Sequence, residues 1–456
     1  MKKRNFLAVL ASLAVMTSMF GISASAAGTN YNEGLTKATV TKSDGTTEPV
    51  SKNTTSFDKY LVMDTNANVP NAAFNFAIAK YNAEKAEKEI IANANDTSLA
   101  VMNGVEGAVF TVSKTANEDA VFTPADLTTT EKTAKTPETA NTAVVFRTES
   151  DTDEKFAAKN LVLDFSGVQF DEPGIYRYII TETGSNQGIE NDTVTDRTLD
   201  VYVEDYADFY NKIADDKKAD YTTPNGKELF IANYVLYSGK NDNAPSKDGS
   251  TTLTKSTSYT NTYTTHDLTF SKAVTGNQGS KDKYFKFDVT ISNAVAGTVY
   301  AVDLSNANAT VISNSATNSD YIGKTNPAKI TVPNGATTVT ETFYLQHGQE
   351  ITILGLADKT SYEVKETPED YVASAEVTGD NKKADNTDIT LTDNTITDDS
   401  IENDTTAAFT NDRSGTIPTG VILSVAAPVV IGLAVLGGIV FLVIRNKKRE
   451  NEDEED

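Results

Sequence analysis

Short runs of alternating apolar and polar residues recur along most of the chain. In the run from Phe285 to Ile291 every second residue is apolar, so one face of the segment would be buried and the other would meet solvent. Such runs are rich in Thr, Val, Ile, Tyr and Phe, and clusters of Asn, Asp, Gly and Ser separate them. This pattern is typical of β-sandwich domains, and it predicts an all-β protein.

Two segments in the first half depart from that pattern. Residues Asn82 to Asn93 carry alanines and Glu/Lys pairs spaced three or four positions apart, which favours a short helix. Residues Thr128 to Asp153 are rich in Thr, Glu and Lys and have little apolar periodicity, so we expect a long loop or an insertion there. The region 82–153 is therefore predicted to enlarge the first of the folded parts.

The N-terminal segment has the pattern of a secretory signal peptide. Three cations at residues 2–4 precede an apolar run that ends at Ile22, and a small-x-small cleavage pattern ends at Ala26. We expect residues 1–26 to be a Sec signal peptide that is removed on export.

The C-terminal segment predicts a membrane anchor that is later cleaved. The uncharged apolar stretch 421–444 is long enough to cross a bilayer, and the charged tail 445–456 begins with cations, which mark the cytoplasmic side. Just before the stretch, within residues 414–420, Ile417-Pro418-Thr419-Gly420 resembles a sortase sorting signal. Cleavage between Thr419 and Gly420 would leave an acyl group on Thr419 for transfer to an amine.

The composition excludes several classes of function. Among 456 residues there are no cysteines and two histidines, which excludes disulfide scaffolds, thiolate metal sites and His-rich metal sites. The formal net charge of −24 argues against nucleic acid and anionic membrane surfaces as partners. His266 and His347 have no catalytic-triad spacing around them. We therefore expect that the protein binds no cofactor and no metal, and that it is not an enzyme that acts on an external substrate.

A set of three polar residues occurs twice in the same order. In each half a lysine lies in an early strand pattern, a glutamate follows in a Tyr-x-(Ile/Val)-x-Glu run, and an asparagine lies in the last strand pattern. Each of the six shares strand parity with apolar neighbours and is predicted to point into a core, where an isolated charge is very costly. The two sets are Lys59, Glu182, Asn261 and Lys272, Glu366, Asn411.

Burial of these residues would allow a covalent reaction. It lowers the pKa of a lysine and raises the pKa of a glutamate. A neutral amine is a nucleophile, and a protonated glutamate could donate a hydrogen bond to the asparagine carboxamide oxygen and polarise its carbon. Attack with loss of ammonia would leave a Lys–Asn isopeptide bond. The alternative is a buried Lys–Glu ion pair beside a hydrogen-bonded Asn, but the repetition of the same order favours cross-linking.

With these motifs the sequence resembles the sortase-assembled backbone pilins of the streptococcal T-antigen type, and the wider family of pilin domains with intramolecular isopeptide bonds. The similarity is strongest in FDEPGIYRYIITET, HGQEITILGLADKTSYEVKET and FTNDRSGTIPTG. The resemblance implies two tandem immunoglobulin-like β-sandwich domains, at 27–264 and 265–413, each with one Lys–Asn bond between its first and last strands. The implied bonds and catalytic glutamates are Lys59–Asn261 with Glu182, and Lys272–Asn411 with Glu366.

The resemblance also implies assembly into a wall-anchored pilus at the cell surface. In that family a lysine of one subunit attacks the sortase-bound threonine of the next. This lysine lies in the N-terminal domain, a few residues before the cross-linking asparagine. Lys255 is the first candidate here, and Lys247 and Lys240 are alternatives. The implied partners are identical subunits, a sortase, peptidoglycan, and ancillary pilins or host ligands. A second interpretation is an adhesin or ancillary pilin that carries the same domains but is attached singly to the wall.

Overall fold

Strands make up most of the folded chain. The computed structural model describes residues 39–81, 91–93, 96–110, 120–130, 154–240, 256, 258–379, 387–389, 391 and 393–415. The strands are β1 (Thr39–Thr41), β2 (Thr47–Pro49), β3 (Thr54–Asp64), β4 (Ala72–Lys80), β5 (Ile91–Asn93), β6 (Asp96–Asn103), β7 (Val109–Phe110), β8 (Ala120–Phe122), β9 (Thr128–Thr129), β10 (Glu154–Asp164), β11 (Gly174–Thr183), β12 (Ile189–Glu190), β13 (Asp196–Asp205), β14 (Leu229–Leu236), β15 (Ser258–Tyr263), β16 (Thr265–Thr275), β17 (Phe285–Ser292), β18 (Val299–Asp303), β19 (Lys329–Thr331), β20 (Val339–Leu345), β21 (Gln349–Ala357), β22 (Ser361–Thr367), β23 (Val372–Thr378), β24 (Thr387–Ile389), β25 (Thr395–Asp398) and β26 (Thr405–Asp412). In the described part of the chain the helices are α1 (Tyr206–Lys212) and two single 3-10 turns, Lys218–Asp220 and Ser319–Tyr321.

The first half forms a sandwich of two sheets. One sheet has the order β12-β15-β3-β10-β7, with β9 also on β10, and the other has the order β14-β13-β11-β4-β8, with β6 on β11 and β5 on β6. A continuous apolar core lies between them. Aromatic rings of the two sheets meet there: Tyr259 of β15 lies 5.4 Å from Phe57 of β3 and 5.1 Å from Phe76 of β4, measured between ring centroids. Such edge and tilted contacts add to the stabilisation that burial provides.

The second half forms another sandwich. Its sheets have the orders β19-β18-β21-β16-β26-β23-β24 and β20-β17-β22-β25. Strand β17 shows the predicted alternation, because its four apolar side chains are buried and the residues between them are partly exposed. Together the two sandwiches confirm the predicted fold class, an all-β chain of immunoglobulin-like sandwiches.

In both sandwiches the first long strand lies beside the last one, and the two run parallel. Strand β3 pairs with β15, and β16 pairs with β26. Parallel neighbours cannot be joined by a hairpin, so the remaining strands of each sandwich lie between them in sequence. The predicted domain boundary between residues 264 and 265 falls where a single residue connects β15 to β16, and it stays a prediction. Both sandwiches belong to one compact unit.

The segment 82–153 differs from its predicted structure where it is described. The expected helix over Asn82 to Asn93 is wrong at its end, because Ile91–Asn93 form β5; residues 82–90 lie outside the described residues. Within the expected loop, Thr128–Thr129 form β9 beside β10, and 131–153 lie outside the described residues. Local spacing of charges and alanines cannot report on sheet partners, which here come from strands far away in sequence.

The observed helix α1 lies elsewhere, directly after β13. The Asp205 carboxylate caps it by accepting the backbone N–H groups of Ala207 and Asp208. The predicted signal peptide 1–26, the sorting-motif residues 417–420 and the apolar stretch 421–444 lie outside the described residues. Within the described part of the chain, no helix is long and apolar enough to cross a membrane.

Candidate functional site

In the first sandwich, three sequence-predicted residues meet inside the core. Lys59 of β3, Glu182 of β11 and Asn261 of β15 are all buried, at 0%, 3% and 1% exposure. The Lys59 ammonium nitrogen Nζ lies 2.7 Å from Glu182 Oε1, and the Asn261 amide nitrogen Nδ2 donates to the same oxygen at 2.7 Å. One carboxylate oxygen therefore contacts both nitrogens.

The second sandwich contains the same arrangement. Lys272 of β16 has its Nζ 2.6 Å from Glu366 Oε1 of β22, and Nδ2 of Asn411 on β26 donates to that oxygen at 2.8 Å. All three residues are at most 2% exposed. The lysine nitrogen lies 4.7 Å from the ring centre of Phe285, as Lys59 lies 4.6 Å from that of Phe74. Each ammonium group is thus packed against an aromatic face with no bulk water around it.

Strand register brings the lysine and the asparagine together. In the first sandwich Lys59 is opposite Tyr259, and Asn261 lies two positions further along the parallel strand. In the second, Lys272 is opposite Phe409, and the asparagine again lies two positions further on. Because side chains two positions apart share a face, the lysine and the asparagine both point into the core, towards the glutamate on the facing sheet.

Burial perturbs the ionisation of these groups. It lowers the pKa of Lys59 and of Lys272 from 10.5 to about 8 in each case, with the neighbouring glutamate opposing the shift. Burial also raises the pKa of Glu366, against the effect of Lys272. The lowered pKa increases the fraction of each lysine that is a neutral amine near neutral pH. That fraction can act as a nucleophile.

The contact made by each glutamate differs from the one inferred from sequence. The sequence predicts that the glutamate reaches the carboxamide oxygen, but in both sandwiches it contacts the carboxamide nitrogen, which would be the leaving group of the predicted reaction. The oxygen of Asn261 instead accepts the backbone N–H of Asp192 at 2.7 Å. Among the described residues, the oxygen of Asn411 has no hydrogen-bond partner. The glutamate is therefore placed to move a proton between the two nitrogens.

Sequence reasoning missed the residues around the first site. Asn191 and Asp192 belong to a short polar loop between β12 and β13, and Asn191 Oδ1 accepts a second hydrogen bond from Asn261 Nδ2 at 3.1 Å. Nothing in their pattern distinguishes them from ordinary turn residues. The nearby Arg197 on β13, which is 7% exposed, is likewise absent from the residues that the sequence predicts for the site. Its charge on an otherwise apolar strand face was the one usable signal.

The residues predicted for intersubunit joining fall mostly outside the described part of the chain. Lys240 is exposed shortly after β14, whereas Lys255, Lys247 and the motif residues 417–420 lie outside the described residues. The two histidines have separate partners: His266 Nε2 lies 3.2 Å from Asp358 Oδ1, and His347 Nδ1 accepts the backbone N–H of Val274. Among the described residues, no group of three or more His, Asp or Glu could hold a metal ion.

A family model for a domain of unknown function (DUF7601) matches residues 266–413. No curated protein sequence matches this chain at a significant level. Among solved structures, the chain is similar to the major pilin from Streptococcus pyogenes, with 19% identity, coverage of 80% of this chain and 99% of that chain, and a TM-score of 0.43.

Two further solved structures are similar to parts of the chain. The major pilin T3.2 from Streptococcus pyogenes serotype GAS13637 shares 18% identity over 79% of this chain and 99% of that chain, with a TM-score of 0.41. The pilus-presented adhesin Cpa shares 19% identity over 49% of this chain and 38% of that chain, with a TM-score of 0.23.

Proposed function

We propose that this chain is a structural subunit of a covalently polymerised cell-surface pilus, stabilised by internal Lys59–Asn261 and Lys272–Asn411 isopeptide bonds. The observation that carries the proposal is the repetition of one buried arrangement: a lysine and an asparagine on adjacent first and last strands, with a glutamate contacting both nitrogens. A single such cluster could be an ion pair of the core. Two with the same strand positions and the same register offset favour a shared chemistry.

The reaction balances without any added reagent. The neutral lysine amine attacks the asparagine carboxamide carbon, forming a new C–N bond, and the bond from that carbon to Nδ2 breaks. The glutamate takes the proton from the attacking amine and passes it to the leaving nitrogen, which departs as ammonia. Since Oε1 lies within hydrogen-bond distance of both nitrogens in each sandwich, one carboxyl group can make both transfers.

A bond in this position suits a protein that carries tension. It joins the first strand of a sandwich directly to its last strand, so force applied at the termini passes through an amide and not through the hydrogen bonds of the sheet. The product stays in the core, and the reaction occurs once per site. This supports a structural role in preference to turnover of an external substrate.

Polymerisation is the part of the proposal that rests on sequence alone. A sortase would cleave after Thr419 and transfer the threonine to a lysine of a neighbouring subunit, Lys255 or one of Lys247 and Lys240. The last subunit would be transferred to peptidoglycan.

One experiment tests both the internal cross-links and the polymerisation. Cell-wall extracts of the producing bacterium are separated by mass and blotted, and each band is digested for peptide mapping. We expect a ladder of high-mass bands containing both internal cross-links and a peptide that joins Thr419 to a lysine. A single band with both internal cross-links would favour the singly anchored adhesin, and absence of the internal cross-links would refute the core chemistry.

Matched variants separate the two kinds of bond. Thr419→Ala should abolish the ladder and leave the internal bonds intact, whereas Glu366→Ala should remove the Lys272–Asn411 bond alone. The control Glu363→Ala, at an exposed position on the same strand β22, should change neither.

A further inference from the structure

The carboxamide oxygens of the two asparagines have different surroundings. Asn261 Oδ1 accepts the backbone N–H of Asp192 at 2.7 Å. Asn411 Oδ1 is buried without a hydrogen-bond partner among the described residues. When a lysine amine attacks the carboxamide, the electron pair of the carbonyl double bond moves onto this oxygen. The first sandwich therefore offers a donor at the atom where negative charge develops, whereas no described residue of the second sandwich offers one.

The donor is held in place by the side chain of its own residue. The Asp192 carboxylate accepts the N–H of Val194 through Oδ1 at 2.9 Å and the N–H of Thr260 through Oδ2 at 2.9 Å. Thr260 directly precedes Asn261 on β15. The carboxylate thus closes its own loop and ties that loop to the strand that carries the reacting asparagine.

Arg197 fixes this carboxylate from the other side. Its Nη2 donates to Asp192 Oδ2 at 2.7 Å, and its Nη1 donates to the backbone oxygen of Ser258 on β15. The guanidinium carbon lies 4.2 Å from the ring centre of Tyr259. The arginine also neutralises a carboxylate whose charge would otherwise oppose an oxyanion nearby, and the effect is strong because the pair is about nine-tenths buried.

We propose that the backbone N–H of Asp192 is the oxyanion donor for formation of the Lys59–Asn261 bond, and that the Asp192 carboxylate and Arg197 are positioning residues for it. The inference rests on the proposed cross-linking. The amine adds to the carboxamide carbon, the negative charge on Oδ1 is stabilised by the N–H group, and the C=O bond re-forms as ammonia leaves. Loss of one oxyanion donor typically slows an acyl transfer about 10²–10³-fold.

The test follows both bonds in the same molecule. The full chain is synthesised in a cell-free translation reaction, initiation is blocked, and samples are quenched in denaturant and digested. The two cross-linked peptides are then quantified against time by mass spectrometry. The Lys272–Asn411 bond serves as the internal control for folding, so the measured quantity is the ratio of the first rate to the second.

We expect Asp192→Ala and Arg197→Met to lower this ratio at least tenfold, and Arg197→Lys to restore part of the loss. A ratio that stays at the wild-type value in both variants would overturn the proposal, even if overall folding is slower. If the wild-type chain yields no Lys59–Asn261 peptide, the proposed cross-linking at this site is itself refuted, and not only the role of Asp192 and Arg197 in it.

A pH profile distinguishes oxyanion stabilisation from an effect on the nucleophile. Asp192 and Arg197 both act electrostatically on the Lys59 ammonium. If the variants act through that lysine, the midpoint of the rate against pH will move while the plateau at high pH stays. The backbone N–H does not titrate, so we expect the opposite result, a lower plateau with the same midpoint, and a shifted midpoint alone would refute the assignment.

Discussion

Removing one internal bond should destabilise its sandwich by an amount that loop length predicts. The substitution Glu182→Gln keeps the size of the side chain but removes the carboxyl that transfers the proton, so the Lys59–Asn261 bond should not form. A bond between these residues closes a loop of roughly 200 residues, and the loop-entropy relation then gives about 5 kcal/mol of stabilisation through the unfolded state. The Lys272–Asn411 loop of roughly 140 residues gives nearly the same value, because length enters as a logarithm.

The measurement is guanidinium unfolding followed by tyrosine fluorescence, since the chain has 19 tyrosines and no tryptophan. A loss of about 5 kcal/mol should also lower the Tm of the first sandwich by roughly 10–20 °C. Intact mass confirms for each sample whether ammonia has been lost.

A thermodynamic cycle removes the local cost of the substitution. The same Glu182→Gln change in an Asn261→Ala chain, which cannot form the bond, measures packing and hydrogen bonding alone. The difference between the two effects is the contribution of the cross-link. If mass shows that the bond is absent and this difference is below about 1 kcal/mol, the loop-entropy reasoning is refuted.

Two other predictions concern buried charges. Burial lowers the pKa of Lys59 from its ordinary 10.5 to about 8, and we expect it to stay lowered in the folded, uncross-linked Asn261→Ala chain. Above pH 8 the unfolded state therefore binds more protons than the folded state, and the free energy of unfolding should rise between about pH 8 and 9.5. Adding Lys59→Met should abolish this rise. An unchanged slope in that variant would show that Lys59 is not its source. Arg177 and Asp200 form a bidentate pair at 2.7 and 2.8 Å with both side chains at most 1% exposed. Asp200→Ala should lower the free energy of unfolding by about 3–5 kcal/mol because it removes the carboxylate that compensates the buried charge of Arg177. In the same denaturation assay Glu48→Ala, which removes one partner of an exposed ion pair, should cost no more than about 1 kcal/mol. Equal effects of the two substitutions would refute the burial argument.

Much of the fold followed from local patterns in the sequence. Alternation along β17 predicted its buried face, and the same parity placed Lys59 and Lys272 on inward-facing positions of their strands. These inferences succeed because side-chain direction in a strand repeats every two residues and depends only on neighbours in the chain. The segment Ile91–Asn93 shows the limit of this approach. Its local sequence pattern predicts a helix, but it forms a strand that pairs with β6.

The sequence by itself determined the class of fold, the order Lys, Glu, Asn in each half, and the inward direction of the lysines. Only the tertiary structure decided which atom of each asparagine faces its glutamate. It also decided that the backbone N–H of Asp192 donates to the oxygen of Asn261, whereas no described residue donates a hydrogen bond to that of Asn411. Hydrogen bonds of this kind join residues 69 positions apart in the chain. They depend on loop conformation and on the register between sheets, and no local periodicity encodes either of these.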